Sequence, residues 1–284
     1  LFPYTTLFRS LTRKAAEQPE AKAIYTQMPN VLYYGPMTLA DLSTQIDKMK
    51  FYTPGKVKFK MPRQVRPYKT QETSKNEVYI APYDAKNVYM IQYHNANQKW
   101  TPERAPIISL FNEYFGGSMN AIVFQEMREA RGLAYSAWAN LAIPTNAKGD
   151  YYYMAFIATQ NDKMQKAIEA FDEIINNMPE SEAAFKLAKE AVLTNLRTSR
   201  TIKDEVLWKY IANKDLGVTE DRNKAIFEKV QDMTFADLKA AQEQWIKDRK
   251  YTYCILGDLK DLDQDYLRKL GPVQIVSQKE MFGY

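Results

Sequence analysis

Arg128 and Tyr135 stand seven positions apart with a glycine between them, in the stretch Met127-Arg128-Glu129-Ala130-Arg131-Gly132-Leu133-Ala134-Tyr135. Arginine carries a rigid, permanently charged fork of five donors, and a tyrosine phenol donates one directed hydrogen bond. Glycine just past a helix end reverses the chain, so the two side chains can converge on one carbonyl oxygen. Two donors aimed at one oxygen are what a tetrahedral oxyanion requires. The same spacing also describes an ordinary helix end with a solvated arginine, followed by a strand tyrosine. No group able to activate water accompanies the pair. The chain has one histidine, His94, and no sequence cluster of metal ligands. The stretch reads as half of a site whose other half lies elsewhere.

Other candidate residues carry less. His94 has no second ligand at helical spacing, so it reads as a surface or hydrogen-bonded residue rather than a metal ligand. Gly116-Gly117 precedes a helix but lacks both the phosphate-loop and the dinucleotide patterns, which leaves a structural turn. Lys56, Lys58, Lys60, Arg63, Arg66 and Lys69 form a basic arm with Phe59 and Tyr68 between them. Such an arm could touch RNA or anionic lipid; a solvated linker between domains is the reading adopted, with no nucleic-acid partner. Arg131 is either a second substrate contact or a helix-end charge. Cys254, the only cysteine, reads as a small buried side chain on a strand.

Composition sets the frame in which these residues must be held. With 284 residues, 45% hydrophobic and 26% charged, the chain suits one large or two modest globular domains. A formal charge of +5 is too mild to point to nucleic acid. No apolar run approaches the length of a membrane span. A lone cysteine excludes an intrachain disulfide, so composition fits cytoplasm and periplasm equally.

The first ten residues, Leu1 to Ser10, resemble translated sequencing-adapter DNA. The expectation is a natural protein that begins upstream of Leu11, with this chain as its C-terminal fragment. Residues 11–53 read as the tail of an α+β domain: a helical stretch to Met28, a strand Val31–Gly35, and a helix opened by Thr38 with Asp41 at its positive end. Residues 54–75 are proline-rich and basic, a linker.

A complete domain is expected over 76–284. Residues 77–83 and 87–93 read as two strands of a hairpin. Thr101-Pro102 starts a helix whose stripe is Ile107, Ile108, Phe111, Tyr114 and Phe115. A second helix runs to Ala130, and two strands cover 133–143 and 151–159. The remainder is mainly helical, closing with a strand over 251–256. Thr234-Phe235-Ala236-Asp237-Leu238 repeats the helix start at Thr38. The two strand–helix endings look alike, so the fold class is α+β, a mostly antiparallel sheet with helices on one face, preceded by the tail of a related domain.

Phe115-Gly116-Gly117-Ser118-Met119-Asn120, followed by Phe124-Gln125-Glu126-Met127-Arg128 and Gly132-Leu133-Ala134-Tyr135-Ser136, resembles the signature of the pitrilysin and insulin-degrading peptidases. These are the inverzincins, which include the mitochondrial processing peptidases. The resemblance covers roughly Asn76 to the C-terminus. It implies the half that does not hold zinc, since the family's H-x-x-E-H motif is absent. It implies that Arg128 and Tyr135 contact substrate opposite a metal whose water attacks the carbonyl. The expected function is the C-terminal, non-zinc portion of a zinc metalloendopeptidase acting on peptides or small proteins. Its partners would be peptide substrates and a zinc-bearing N-terminal half, covalent or separate. This chain would bind no metal and be inactive alone. The alternative is a non-catalytic peptide-binding or scaffold subunit of a peptidase-like complex.

Overall fold

The structure, a computed structural model, describes residues 31–48, 70–95 and 97–283. The N-terminal stretch, the helical reading up to Met28 and the basic arm lie outside these residues. Of the described residues, 31–48 and 202–208 belong to one compact unit, and 70–95, 97–201 and 209–283 form the other.

In the first unit, helix α1 spans Leu39–Lys48. Its start is fixed by a reciprocal pair: the Asp41 N–H donates to Thr38 Oγ1 at 3.2 Å, and that hydroxyl donates to Asp41 Oδ2 at 2.8 Å. The same five-residue pattern opens a helix at Thr234, where the Thr234 N–H donates to Asp237 Oδ2 at 2.7 Å. Local chemistry thus gives local structure twice. The expected strand Val31–Gly35 does not form. Those residues are irregular and mostly exposed, and no described strand lies alongside to pair their N–H and C=O groups.

The second unit is built on a six-stranded mixed sheet. Its strands are β1 (Glu77–Pro82), β2 (Asn87–His94), β3 (Ser136–Ala142), β4 (Tyr152–Gln160), β5 (Thr252–Gly257) and β6 (Val273–Ile275), in the order β3-β4-β2-β5-β1-β6. The pairs β3–β4, β4–β2 and β2–β5 are antiparallel; β5–β1 and β1–β6 are parallel. The expected hairpin of β1 with β2 is therefore split, because β5 lies between them. Two strand spacings are about 9.6 Å, and the four-residue link from Tyr83 to Lys86 spans that as readily as it closes a hairpin. Link length could not discriminate. The three-residue β6 carried no signal.

Burial alternates along the strands, strictly over most of their length. One face holds Val78, Ile80, Val88, Met90, Ala139 and Ile157 in a continuous core with the helices. The helices after β2 are α2 (Ala105–Phe115), α3 (Ile122–Phe124, continued as a π-helix over Gln125–Ala130), α4 (Met164–Asn176), α5 (Glu182–Thr198), α6 (Glu205–Asp215), α7 (Arg222–Asp232), α8 (Phe235–Trp245), α9 (Gln264–Leu270) and α10 (Gln278–Phe282); of these, α6 and α10 bury no residue in this core. The predicted stripe on α2 is buried at Ile108, Phe111, Tyr114 and Phe115. Cys254 falls on the other, exposed face, contrary to the expected burial. Tyr253 and Ile255 set the phase of β5, and a two-residue period sends Cys254 outward.

β3 is an edge strand, and α2 closes part of that edge. The Asn112 amide donates to the Leu141 carbonyl at 3.0 Å and accepts the Leu141 N–H at 2.7 Å. The Ala139 N–H donates to the Gly116 carbonyl at 3.4 Å. Pairing the open groups of an edge strand removes a template for unwanted strand addition.

A half-buried carboxyl borders the core. Asp172 on α4 accepts from the Gln92 amide at 2.9 Å, with Gln92 fully buried on β2. Tyr153, Tyr251, Tyr253 and Tyr266 surround it. Desolvation lifts Asp172 to about 6, against hydrogen bonds from Gln92 and Tyr253 that lower it. A raised carboxyl favours the fold fully below the unfolded value and loses that contribution as pH rises through about 6. Asp172→Asn keeps an acceptor for Gln92 and is expected to stabilise the protein at pH 7.5 by roughly 1–3 kcal/mol. Urea melts at pH 4.5 and 7.5 check this: the gain should shrink at the lower pH, and equal gains at both would refute it.

Candidate functional site

The site is made by one continuous segment. Helix α3 enters from Ala121, which is fully buried, and carries Met127, also fully buried, into the core. Met127 anchors the segment, and its neighbour Arg128 faces outward with its side chain 44% exposed. From Gln125 the helix widens to π geometry. The Arg131 N–H donates to the Glu126 carbonyl at 3.2 Å, five residues back. Short π segments are rare and occur often at functional positions.

Gly132 then turns the chain at φ 57°, a left-handed conformation that favours glycine. The Leu133 and Ala134 N–H groups fold back onto the Met127 carbonyl at 2.9 and 3.2 Å. Three further bonds hold the reversal. Lys163 Nζ donates to the Gly132 carbonyl at 3.2 Å, the Thr159 hydroxyl to the Leu133 carbonyl at 2.6 Å, and the Tyr135 N–H to the Ala158 carbonyl at 2.9 Å. A cavity of about 360 Å³ opens beside the turn, lined by Tyr135, Thr159 and Lys163 among others.

Arg128 and Tyr135 are brought together by this path. The guanidinium carbon lies 5.5 Å from the Tyr135 ring centre and 5.0 Å from that of Phe124. Tyr135 is 80% exposed. Contacts of a guanidinium with ring faces contribute about 0.5–1 kcal/mol each at exposed sites and leave its in-plane N–H groups available. Arg128 Nε also lies 3.5 Å from the exposed Glu129 carboxylate, a weak, solvent-screened pairing. The geometry offers a cation and a phenol, side by side and open to a ligand.

Arg131, the second basic residue of the stretch, is spent elsewhere. Its guanidinium pairs with Glu173 at 2.7 Å and Glu126 at 3.4 Å, fastening the π-helix to α4. Sequence reading gave no role to Phe124 or Lys163. Phe124 had a local signal, four residues before Arg128 on a helix. Lys163 had none, because its contact spans 31 residues.

His94 is hydrogen-bonded, as expected, but buried rather than on the surface, with 6% exposure. Its Nδ1 lies 2.8 Å from the Lys250 carbonyl. A carbonyl only accepts, so Nδ1 carries the hydrogen, and burial pushes the imidazole pKa down. Its Nε2 is buried with no hydrogen-bond partner. Among the described residues, no group of three or more His, Cys, Asp or Glu is placed to hold a metal. The donor set around Arg128 and Tyr135, a guanidinium and a phenol, does not fit a zinc site. Gly116 serves packing: a Cβ there would fall within 2.8 Å of the Ala139 carbonyl carbon and closer to its oxygen and nitrogen. Among the described residues, no helix is long and apolar enough to cross a membrane.

Comparison with known proteins agrees with this reading of the fold. A crystal structure described as the peptidase M16 inactive domain from Pseudomonas fluorescens aligns with TM-score 0.55 and 17% identity, over 67% of this chain and 46% of that one. A conserved protein from Enterococcus faecalis V583 aligns with TM-score 0.61 and 14% identity, over 78% and 50%. A protease from Helicobacter pylori aligns with TM-score 0.56 and 13% identity, over 79% and 53%. The chain thus spans about half the length of each of these structures. No curated protein matches the sequence. The family model for the peptidase M16 inactive domain matches residues 30–192 of the 284. With more than half its length matched, the chain belongs to the peptidase M16 inactive-domain family, the C-terminal, non-zinc half of these metallopeptidases.

Proposed function

We propose that this chain is the C-terminal, non-zinc portion of a zinc metalloendopeptidase that degrades peptides or small proteins. It supplies part of the substrate chamber wall and an Arg128–Tyr135 pair that holds a substrate carbonyl and the oxyanion that develops from it. The observation that carries this reading is the exposed guanidinium held 5.5 Å from the exposed Tyr135 ring across the Gly132 reversal. A fixed cation and a directed O–H favour a negatively charged oxygen over a neutral carbonyl, and that difference lowers a barrier. Bond cleavage belongs to a zinc-bearing half outside this chain, on the same polypeptide or a separate subunit.

The test combines the purified chain with the H-x-x-E-H-bearing half encoded upstream or in a neighbouring gene, and follows a quenched fluorescent peptide. The expected result is no cleavage by either part alone and chelator-sensitive cleavage by the two together. Cleavage by this chain alone, or full cleavage by the other half without it, would refute the reading.

A further inference from the structure

Among the described residues, one arginine side chain has no partner. Arg104, Arg131 and Arg268 pair with side-chain acceptors. Arg200 and Arg249 donate to backbone carbonyls, and Arg128 and Arg197 lie over aromatic rings. The Arg222 side chain makes no hydrogen bond, ion pair or ring contact, yet it is half-buried. Its place on α7 explains the burial. Arg222 stands four residues before Ile226 and eight before Val230, both buried, so the helix period sets it on the stripe that faces the core. Burial alone pushes the guanidinium pKa down, with no neighbouring charge acting on it. A guanidinium stays charged all the same. This cation has given up water and received no counter-charge in return.

Arg222 lines a cavity of about 600 Å³, formed by the stretch entering α2, the loop 217–221 and the first turns of α7. Such a volume suits a small organic ligand. Its inner wall is apolar: Pro106 is buried, and Val218 and Met233 are half-buried. Its rim is charged, with Glu103, Glu220, Asp221 and Lys229 all exposed. It shares no lining residue with the cavity beside Gly132. These features define an occupant. The unpaired guanidinium fits a planar anion, which it holds with two parallel hydrogen bonds. The apolar wall fits a body that gains by leaving water. The rim limits the charge. Three carboxylates against one ammonium repel a ligand with several negative charges, which argues against phosphate esters and nucleotides. One negative charge, carried inward to Arg222, is what the cavity accommodates.

We infer that this cavity is a binding site for a compact organic monocarboxylate with an aromatic or branched aliphatic body. The carboxylate pairs with Arg222, and the body packs against Pro106, Val218 and Met233. The inference stands apart from the Arg128–Tyr135 reading and needs no zinc-bearing half for its test.

The probe is 3-phenylpropionate, titrated into the intact chain and followed by ligand-observed NMR at about pH 8. Two controls accompany it: 3-phenylpropanamide, which keeps the shape without the charge, and phenyl phosphate, a dianion at that pH. The expected result is saturable binding of 3-phenylpropionate, with a Kd about tenfold higher or more for each control and for 3-phenylpropionate on Arg222→Gln. The Arg222 side chain holds no partner, so this variant should melt with the parent. Ala225→Phe, at an exposed α7 position that lines the same cavity, should block the probe while leaving the guanidinium in place, and it keeps the test valid should Arg222→Gln unfold. Equal binding of acid and amide would overturn the inference, as would phenyl phosphate binding as tightly as the acid. So would undiminished affinity in either folded variant, or no saturable binding of 3-phenylpropionate.

Discussion

Arg128→Ala, made in the complete zinc-loaded enzyme, is expected to lower kcat/KM about 10²- to 10³-fold, equivalent to roughly 2.7–4 kcal/mol of lost transition-state stabilisation. The fall should appear mainly in kcat, because a donor that strengthens as charge develops on oxygen acts little on the bound ground state. Tyr135→Phe isolates the phenol O–H. It keeps the ring 5.5 Å from the guanidinium, so any loss reports the hydrogen bond alone. Arg128→Lys keeps the charge but not the planar fork, and should recover only part of the rate. Both side chains are solvent-exposed, and the ring contacts contribute about 1 kcal/mol or less each. Melting temperatures should therefore stay close to that of the parent. Steady-state kinetics on a fluorogenic peptide, paired with thermal melts, check this. Turnover at the parental rate in both Arg128→Ala and Tyr135→Phe would show that neither residue touches the reaction.

Gly116→Ala is expected to be the most damaging single-methyl change in the described core. The added Cβ would meet the Ala139 backbone rather than a side chain, so no rotamer change relieves it. Either β3 moves off the end of α2 or α2 shortens. Both routes disturb the Ala139–Gly116 bond and the two Asn112–Leu141 bonds that close the sheet edge. A cost of about 3 kcal/mol, at the upper end for overpacking, corresponds to a drop of roughly 6–12 °C for a chain of this size. Calorimetry decides, and a melt within 2 °C of the parent would mean that helix and strand do not approach this closely.

The parts of this structure that were legible in sequence are those whose cause is local. Thr38 and Thr234 announce helix starts because each cap is completed three residues later. Gly132 announces a reversal because its left-handed turn is a property of one residue. The Arg128–Tyr135 pair was legible for the same reason, since a single short segment carries both. What was not legible is set by distant partners. β1 and β2 alternate as hairpin strands should, and nothing within them reveals that β5 comes between. Cys254 was assigned to the core because Tyr251 to Leu256 is apolar on both faces of the strand; only packing chooses the phase. The π-helix has no sequence signature, yet it sets how Arg128 meets Tyr135. Lys163 reaches Gly132 from beyond β4, and no short-range pattern could have shown it.

Inserting β5 between β1 and β2 also fixes the order in which the molecule can assemble. Residues 77 to 160 hold four of the six strands, but without 252–257 the sheet has a gap at its middle, and β1 and β2 have no ladder between them. During synthesis the ribosome would release those first strands long before their shared neighbour emerges, leaving both edges of β1 and one edge of β2 unpaired in the interval. Closing that gap joins residues far apart along the chain, a late and entropically demanding step.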